Sequence, residues 1–197
     1  TGEVNGGSTV GGLVGNHYGS ITGAYSSAKV DGVYFVGGLA GALGSGSANN
    51  VYATGDVSGD QVVGGLLGRA YSGSTINNAY ATGAVSGDDS YVGGLAGSNE
   101  GTITNAYATG AVSVTNGYAG GLVGYNMGTI TSAYATGAVS GHDYIGGLVG
   151  YGETGSTITD AYATGAVSAQ YIYVGGLVGS NLGTITKAYA TGTVAGY

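Results

Sequence analysis

From Ala119 to Gly141 the chain reads Ala-Gly-Gly-Leu-Val-Gly-Tyr-Asn-Met-Gly-Thr-Ile-Thr-Ser-Ala-Tyr-Ala-Thr-Gly-Ala-Val-Ser-Gly. Its first motif, Gly-Gly-Leu-x-Gly, occurs seven times, starting at Gly11, Gly37, Gly64, Gly93, Gly120, Gly146 and Gly175. The spacings are 26, 27, 29, 27, 26 and 29 residues. Its second motif, Tyr-Ala-Thr-Gly-x-Val, starts at Tyr52, Tyr80, Tyr107, Tyr134, Tyr162 and Tyr189, with a degenerate copy at Tyr25. A strand-like unit repeated at a fixed period in this range marks a solenoid.

Composition narrows the alternatives. The 197 residues include 46 Gly and no Pro, without Gly at every third position, so collagen is excluded. With 43% hydrophobic and only 7% charged residues, the chain does not have a disordered composition. Val, Thr and Tyr favour strands. The net charge is −7 and the only basic residues are Lys29, Arg69 and Lys187. Three scattered cations build no face for nucleic acid or for an anionic membrane. No apolar run approaches the ~20 residues of a membrane helix, so no membrane insertion is expected. The absence of Cys excludes disulfides and thiol chemistry.

Comparing the copies with one another assigns the faces. The residue after the Gly of the second motif is Lys29, Asp56, Ala84, Ala111, Ala138, Ala166 or Thr193. A position that accepts Lys and Asp faces water. Strand side chains alternate, so the Thr and Tyr of the motif face outward as well. The residue two before the Tyr, among them Asn50, Asn78, Asn105, Asp160 and Lys187, agrees. The opposite parity, Ala133, Ala135, Gly137 and Val139, faces inward. The Val before the Gly pair and the Leu after it are both placed inward, with a bend at Gly-Gly. A third strand is Thr-Ile-Thr, preceded in several copies by an Asn-x-Gly turn such as Asn99-Glu100-Gly101, where Asn and Gly are expected to supply left-handed conformations. The fold that follows is all-β: a single parallel β-helix over residues 1–197, with seven coils of about 27 residues and about three short strands per coil. At a coil spacing of ~4.8 Å the rod is roughly 34 Å long.

The ends share one phase of the repeat, Thr1-Gly2-Glu3-Val4 against Thr191-Gly192-Thr193-Val194. Neither resembles the cap that solenoids place over an open end. The expectation is a segment flanked by further repeats of a longer chain, or a unit that stacks head to tail on itself.

The unit resembles the GLUG repeat of bacterial surface proteins, seen best at Ala119 to Gly141 and at Val174 to Gly196. That repeat occurs in large secreted adhesins of the filamentous-haemagglutinin type and in non-catalytic parts of some IgA-cleaving metallopeptidases. The resemblance implies an extracellular or cell-surface bacterial protein and a β-helical stalk or adhesive segment. It implies no catalytic residue and no cofactor. The only histidines are His17 and His142, so the metallopeptidase signature His-Glu-x-x-His is absent.

The candidate contact surface is the outward row Tyr52, Tyr80, Tyr107, Tyr134, Tyr162 and Tyr189. Such a stripe either binds host glycan or protein through its rings, or stacks along the coils and stiffens the sheet. A partial second row holds Phe35, Tyr91, Tyr118, Tyr144 and Tyr173. Thr-x-Thr pairs such as Thr102/Thr104 and Thr129/Thr131 suggest an ice-binding face, but Ser47/Asn49 and Thr75/Asn77 interrupt them. Asp60, Asp88, Asp89 and Asp143, with Asn116 and His142, are expected to line one edge. Oxygen-rich loops can bind calcium. The motif of calcium-binding rolls is absent, and a like-charged edge also discourages lateral aggregation. No paired carboxylates on irregular loops and no phosphate cradle point to an enzyme. The leading expectation is a structural stalk or filament-forming segment.

Overall fold

The computed structural model describes residues 2–196. Every regular element among them is a strand, and every sheet pairing is parallel and in register. One coil illustrates all of them: Val112–Val114, Tyr118–Gly120, Val123–Asn126 and Thr129–Ala135. Stacking the coils makes four sheets, A to D in that order. Sheet A runs through eight strands from Glu3–Asn5 to Val194–Gly196. The register joins like to like: Val112 lies against Val139, Tyr118 against Tyr144, and Tyr107 against Tyr134. The parallel β-solenoid of seven coils is therefore as the repeat predicts.

The coil has four strands where the sequence suggested three. Three local differences account for this. The Tyr-Ala-Thr-Gly-x-Val stretch breaks at Thr-Gly, so that Ala135 ends a strand of sheet D and Val139 begins one of sheet A. The Gly pair is a true corner, so Val-Gly-Gly-Leu splits between sheets B and C. Thr-Ile-Thr and Ala-Tyr-Ala, read as separate strands, form one seven-residue strand of sheet D. That strand is kinked at its fourth residue. Asn50, Asn78, Asn105, Ser132, Asp160 and Lys187 have φ between 50° and 54°. The left-handed residue places itself and the Thr before it on the same outward side, and alternation resumes at the following Ala.

Facing agrees with the internal comparison. Ala81, Ala108, Ala135 and Ala163 are buried, as are Ala133 and Val139, while Thr136, Ala138 and Ser140 are exposed. Val and Leu on either side of the Gly pair both point inward, but into different compartments. Val36, Val63 and Val92 pack with Val30, Val57 and Val85 between sheets A and B. Leu39, Leu66, Leu95, Leu122 and Leu148 pack with Ile76, Ile103, Ile130 and Ile158 between sheets C and D.

The glycines divide the two cores. A β-carbon on Gly124 of sheet C would lie 2.6 Å from the Val92 nitrogen and 2.8 Å from the Gly97 oxygen. On Gly97 it would lie 2.7 Å from the Val63 nitrogen. Sheets B and C thus touch backbone to backbone, which only glycine permits. The second Gly of every motif but the first, where Gly12 faces Ser26, faces an Ala of sheet D: a β-carbon on Gly121 would be 2.9 Å from that of Ala135. This explains why the residue after the motif Tyr is small. Full burial of Leu122 and Ile130 supplies about 1.5–3 kcal/mol per side chain.

The Asn-x-Gly turn works differently from the sequence expectation. Asn99, Asn126 and Asn181 do not have positive φ. Asn99 and Asn126 are buried, and their amides bridge the turn. Asn99 Nδ2 donates to the Gly101 carbonyl at 3.3 Å and to Asn126 Oδ1 at 2.8 Å, and the Gly101 amide donates back to Asn99 Oδ1 at 3.2 Å. The Asn is selected for hydrogen-bonding capacity rather than for backbone conformation.

Candidate interaction surface

The outward tyrosines of sheet D stand one per coil at identical register positions. From Tyr25 to Tyr189, successive ring centroids lie 4.8–5.2 Å apart with planes within 7°. The coil spacing sets this stack, and offset aromatic stacking of this kind adds about 0.5–1.5 kcal/mol per pair. Tyr52, Tyr80, Tyr107, Tyr134 and Tyr162 are half-buried because each covers its neighbours. The end rings, Tyr25 and Tyr189, are 60% and 56% exposed. The row faces outward as expected, but its interior rings are not fully exposed. Burial, and then the Tyr107 and Tyr162 phenols on either side, raise the Tyr134 phenol above its ordinary value.

A groove runs beside this stack. The left-handed kink at Asn50, Asn78 and Asn105 lifts the amides into one wall, Tyr52, Tyr80 and Tyr107 form the other, and Val51 and Ala79 line the floor. Its volume is about 360 Å³.

The second aromatic row is wider than the sequence suggested. Tyr91, Tyr118 and Tyr144 of sheet B meet Tyr125 and Tyr151 of sheet C, which the sequence reading missed. Tyr91 and Tyr125 lie 4.7 Å apart, Tyr118 and Tyr151 5.4 Å, and Tyr125 and Tyr151 5.5 Å. The signal was the Gly-Gly corner: sheets in backbone contact bring their outward side chains together along the flank. Tyr125 donates to Glu153 Oε2 at 2.6 Å. Burial first, and then this bond, push the Tyr125 phenol well above its ordinary value, and the same bond holds the Glu153 carboxyl low. In the third coil Arg69 takes the Tyr125 position. It pairs with Glu100 and lies over the Phe35 and Tyr71 rings.

Of the acidic edge, Asp60, Asp88, Asp89 and Asn116 stack as expected through backbone bonds between successive coils, from Asp89 N to Asp60 O and from Asn116 N to Asp88 O, while His142 and Asp143 pair with each other at 3.1 Å. Among the described residues, no three His, Cys, Asp or Glu side chains converge to hold a metal ion. The Thr-x-Thr pairs align in register. Some of their hydroxyls bond to one another: Thr157 donates to Thr129 at 3.2 Å, and Ser47 to Ser20 at 3.0 Å. Of the matching ends, Thr1 lies outside the described residues. Glu3–Asn5 and Val194–Gly196 are the outer strands of sheet A.

The fold and its periodic outer columns define a repeat-built β-solenoid. Six stretches, residues 6–31, 59–86, 88–115, 115–140, 141–168 and 170–195, match the family described as the GLUG motif. They cover well over half of the chain, which therefore belongs to the GLUG-motif family. The stretch between the first two matches holds the coil where Leu43 stands at the position of Asn99 and Asn126, yet its strands pair in the common register. No curated protein and no solved structure matches the chain.

Proposed function

We propose that this chain is a stiff spacer or filament-forming segment of a bacterial extracellular or cell-surface protein, associated with adhesion. The observation that carries the reading is the unbroken in-register pairing of sheet A from Glu3–Asn5 to Val194–Gly196. Each coil hydrogen-bonds its neighbours on several sheets and buries side chains against them. Stability then accumulates coil by coil, and pulling on the chain ends loads many backbone bonds together. The uncharged interior and the stacked tyrosines add stiffness without any bound group.

The outermost coils are open. Leu13, Ile185 and Val194 occupy positions that are buried in the other coils, and they are exposed here.

Two measurements test this reading. Single-molecule stretching of the chain between rigid handles is expected to show cooperative rupture and little extension before it. A soft, gradual extension opposes the spacer role. Antibody labelling of intact cells expressing the parent protein is expected to stain the surface, and staining only after lysis overturns the location.

A further inference from the structure

We propose that the groove between the Asn and Tyr columns of the second to fourth coils is a binding site for a neutral oligosaccharide. The site is separate from the mechanical role of the rod, and either can fail without the other.

The groove is built where the repeat departs from its own consensus. Elsewhere the outward residue before the kink is Thr, and the kink residue is Gly23, Ser132, Asp160 or Lys187. In these coils Asn49, Asn50, Asn77, Asn78 and Asn105 cluster instead. A left-handed φ favours Asn at Asn50, Asn78 and Asn105, but Asn49 and Asn77 lie beside the kink without positive φ, so the backbone does not call for an amide there.

The amides are held but not used up. Asn78 Nδ2 donates to Asn50 Oδ1 at 2.9 Å, and Asn105 Nδ2 donates to Asn77 Oδ1 at 3.2 Å. An amide offers two donors and two acceptor sites, so Asn50, Asn78 and Asn105, which line the groove, keep most of their capacity unused. The fixed backbone kink and these bonds pre-orient the array, which lowers the ordering cost of binding. The opposite wall is a continuous aromatic flank edged with hydroxyls. Because the rings stack on one another, this wall offers their edges and phenol hydroxyls to a sugar, and the amides take the sugar's other hydroxyls.

Charge selects the ligand class. No ionisable acid or base other than the tyrosine phenols lines the groove. Anionic polymers and charged peptides gain nothing there, whereas a neutral, hydroxyl-rich chain matches both walls. The groove spans three coils, roughly 10 Å along the rod. Its volume of about 360 Å³ lies within the ~300–1,000 Å³ range of small-ligand sites.

The other coils supply replacements that the kink already tolerates. Ser132 has φ 52° and Asp160 has φ 51°. Asn50→Ser, Asn78→Ser and Asn105→Ser combined, and Asn78→Asp alone, are therefore expected to fold. The full chain is titrated with cello-, chito- and manno-oligosaccharides by calorimetry, and sulfated and sialylated glycans and a charged peptide library are included as rivals. At least one neutral series is expected to bind. The triple Ser variant is expected to bind it at least tenfold more weakly with an unchanged melting temperature, and Thr102→Ser, on a neighbouring column outside the groove, is expected to bind it normally. The proposal is overturned if no neutral series binds, if only charged ligands bind, or if the triple variant melts and binds like the parent chain.

Discussion

Replacing Gly124 by Ala tests whether sheets B and C rest on each other through backbone alone. The added β-carbon would meet the Val92 nitrogen at 2.6 Å, the Gly97 oxygen at 2.8 Å and the Tyr91 carbonyl carbon at 3.0 Å. All three are backbone atoms locked in neighbouring coils, so none can swing aside. Overpacking of this kind costs about 1–3 kcal/mol, and immovable neighbours put the substitution at the upper end. Ala also restricts the unfolded chain, which works in the opposite direction by about 0.4–1 kcal/mol. The net loss is about 2 kcal/mol, or a fall in Tm of about 4–8 °C for a chain of this size. Gly7→Ala is the control, because a β-carbon there meets nothing within 4 Å and φ is not positive. The assay is thermal unfolding followed by far-ultraviolet circular dichroism on both variants. If Gly124→Ala melts with the parent chain, the two sheets have room between them and the divided core is wrong.

Ala135→Asp places an unpaired carboxylate in a fully buried site facing Gly121; circular dichroism is expected to show loss of the folded rod, and near-normal melting counts against the inward assignment. Asn99→Leu removes the bonds to Gly101 and Asn126 from a buried turn, with an expected loss of about 1–3 kcal/mol in urea unfolding and faster amide exchange at Gly101. The Tyr125–Glu153 bond gives the flank a pH dependence with a definite sign. The Glu153 carboxyl is held below its ordinary value of 4.5, so its contribution is present above that pH and lost as pH falls through the lowered value. The Tyr125 phenol is raised above 10.0, so its contribution is complete below pH 10 and lost as pH rises through the raised value. Glu153→Gln is expected to bring one phenol back toward the ordinary range in an ultraviolet phenolate titration, and an unchanged titration curve refutes the coupling.

Much of the fold was legible because the copies act as internal controls. Lys29 and Asp56 at one position fixed the outward parity of the second motif, and from it came the buried faces of Ala135 and Val139. The count of strands was not legible. The kink at Asn105 leaves no mark in a hydrophobic pattern, because the kink residue is simply polar and exposed. The corner at Gly120-Gly121 was read as a bend, but nothing in one dimension says that two sheets meet there without side chains between them. For the same reason Tyr125 and Tyr151, on the far side of that corner, were not joined to Tyr118 and Tyr144. The outward row from Tyr52 to Tyr189 was visible as a row. Its stacking, and the groove that the kink opens beside it, depend on side-chain and backbone angles that spacing does not carry.

The central claim is that equivalent residues of successive coils lie directly above one another along a straight rod. The chain contains no Cys, so single cysteines can be introduced cleanly. Thr54, Thr164 and Thr191 are exposed and occupy the same position of the repeat. Spin labels on the pair at 54 and 164 span four coil steps, and on the pair at 54 and 191 five, so the account predicts backbone separations of ~19 Å and ~24 Å. Narrow distance distributions by pulsed electron paramagnetic resonance, lengthening by ~4.8 Å per coil, are the expected result. Broad distributions, or separations that do not lengthen with coil number, contradict the solenoid and everything argued from it.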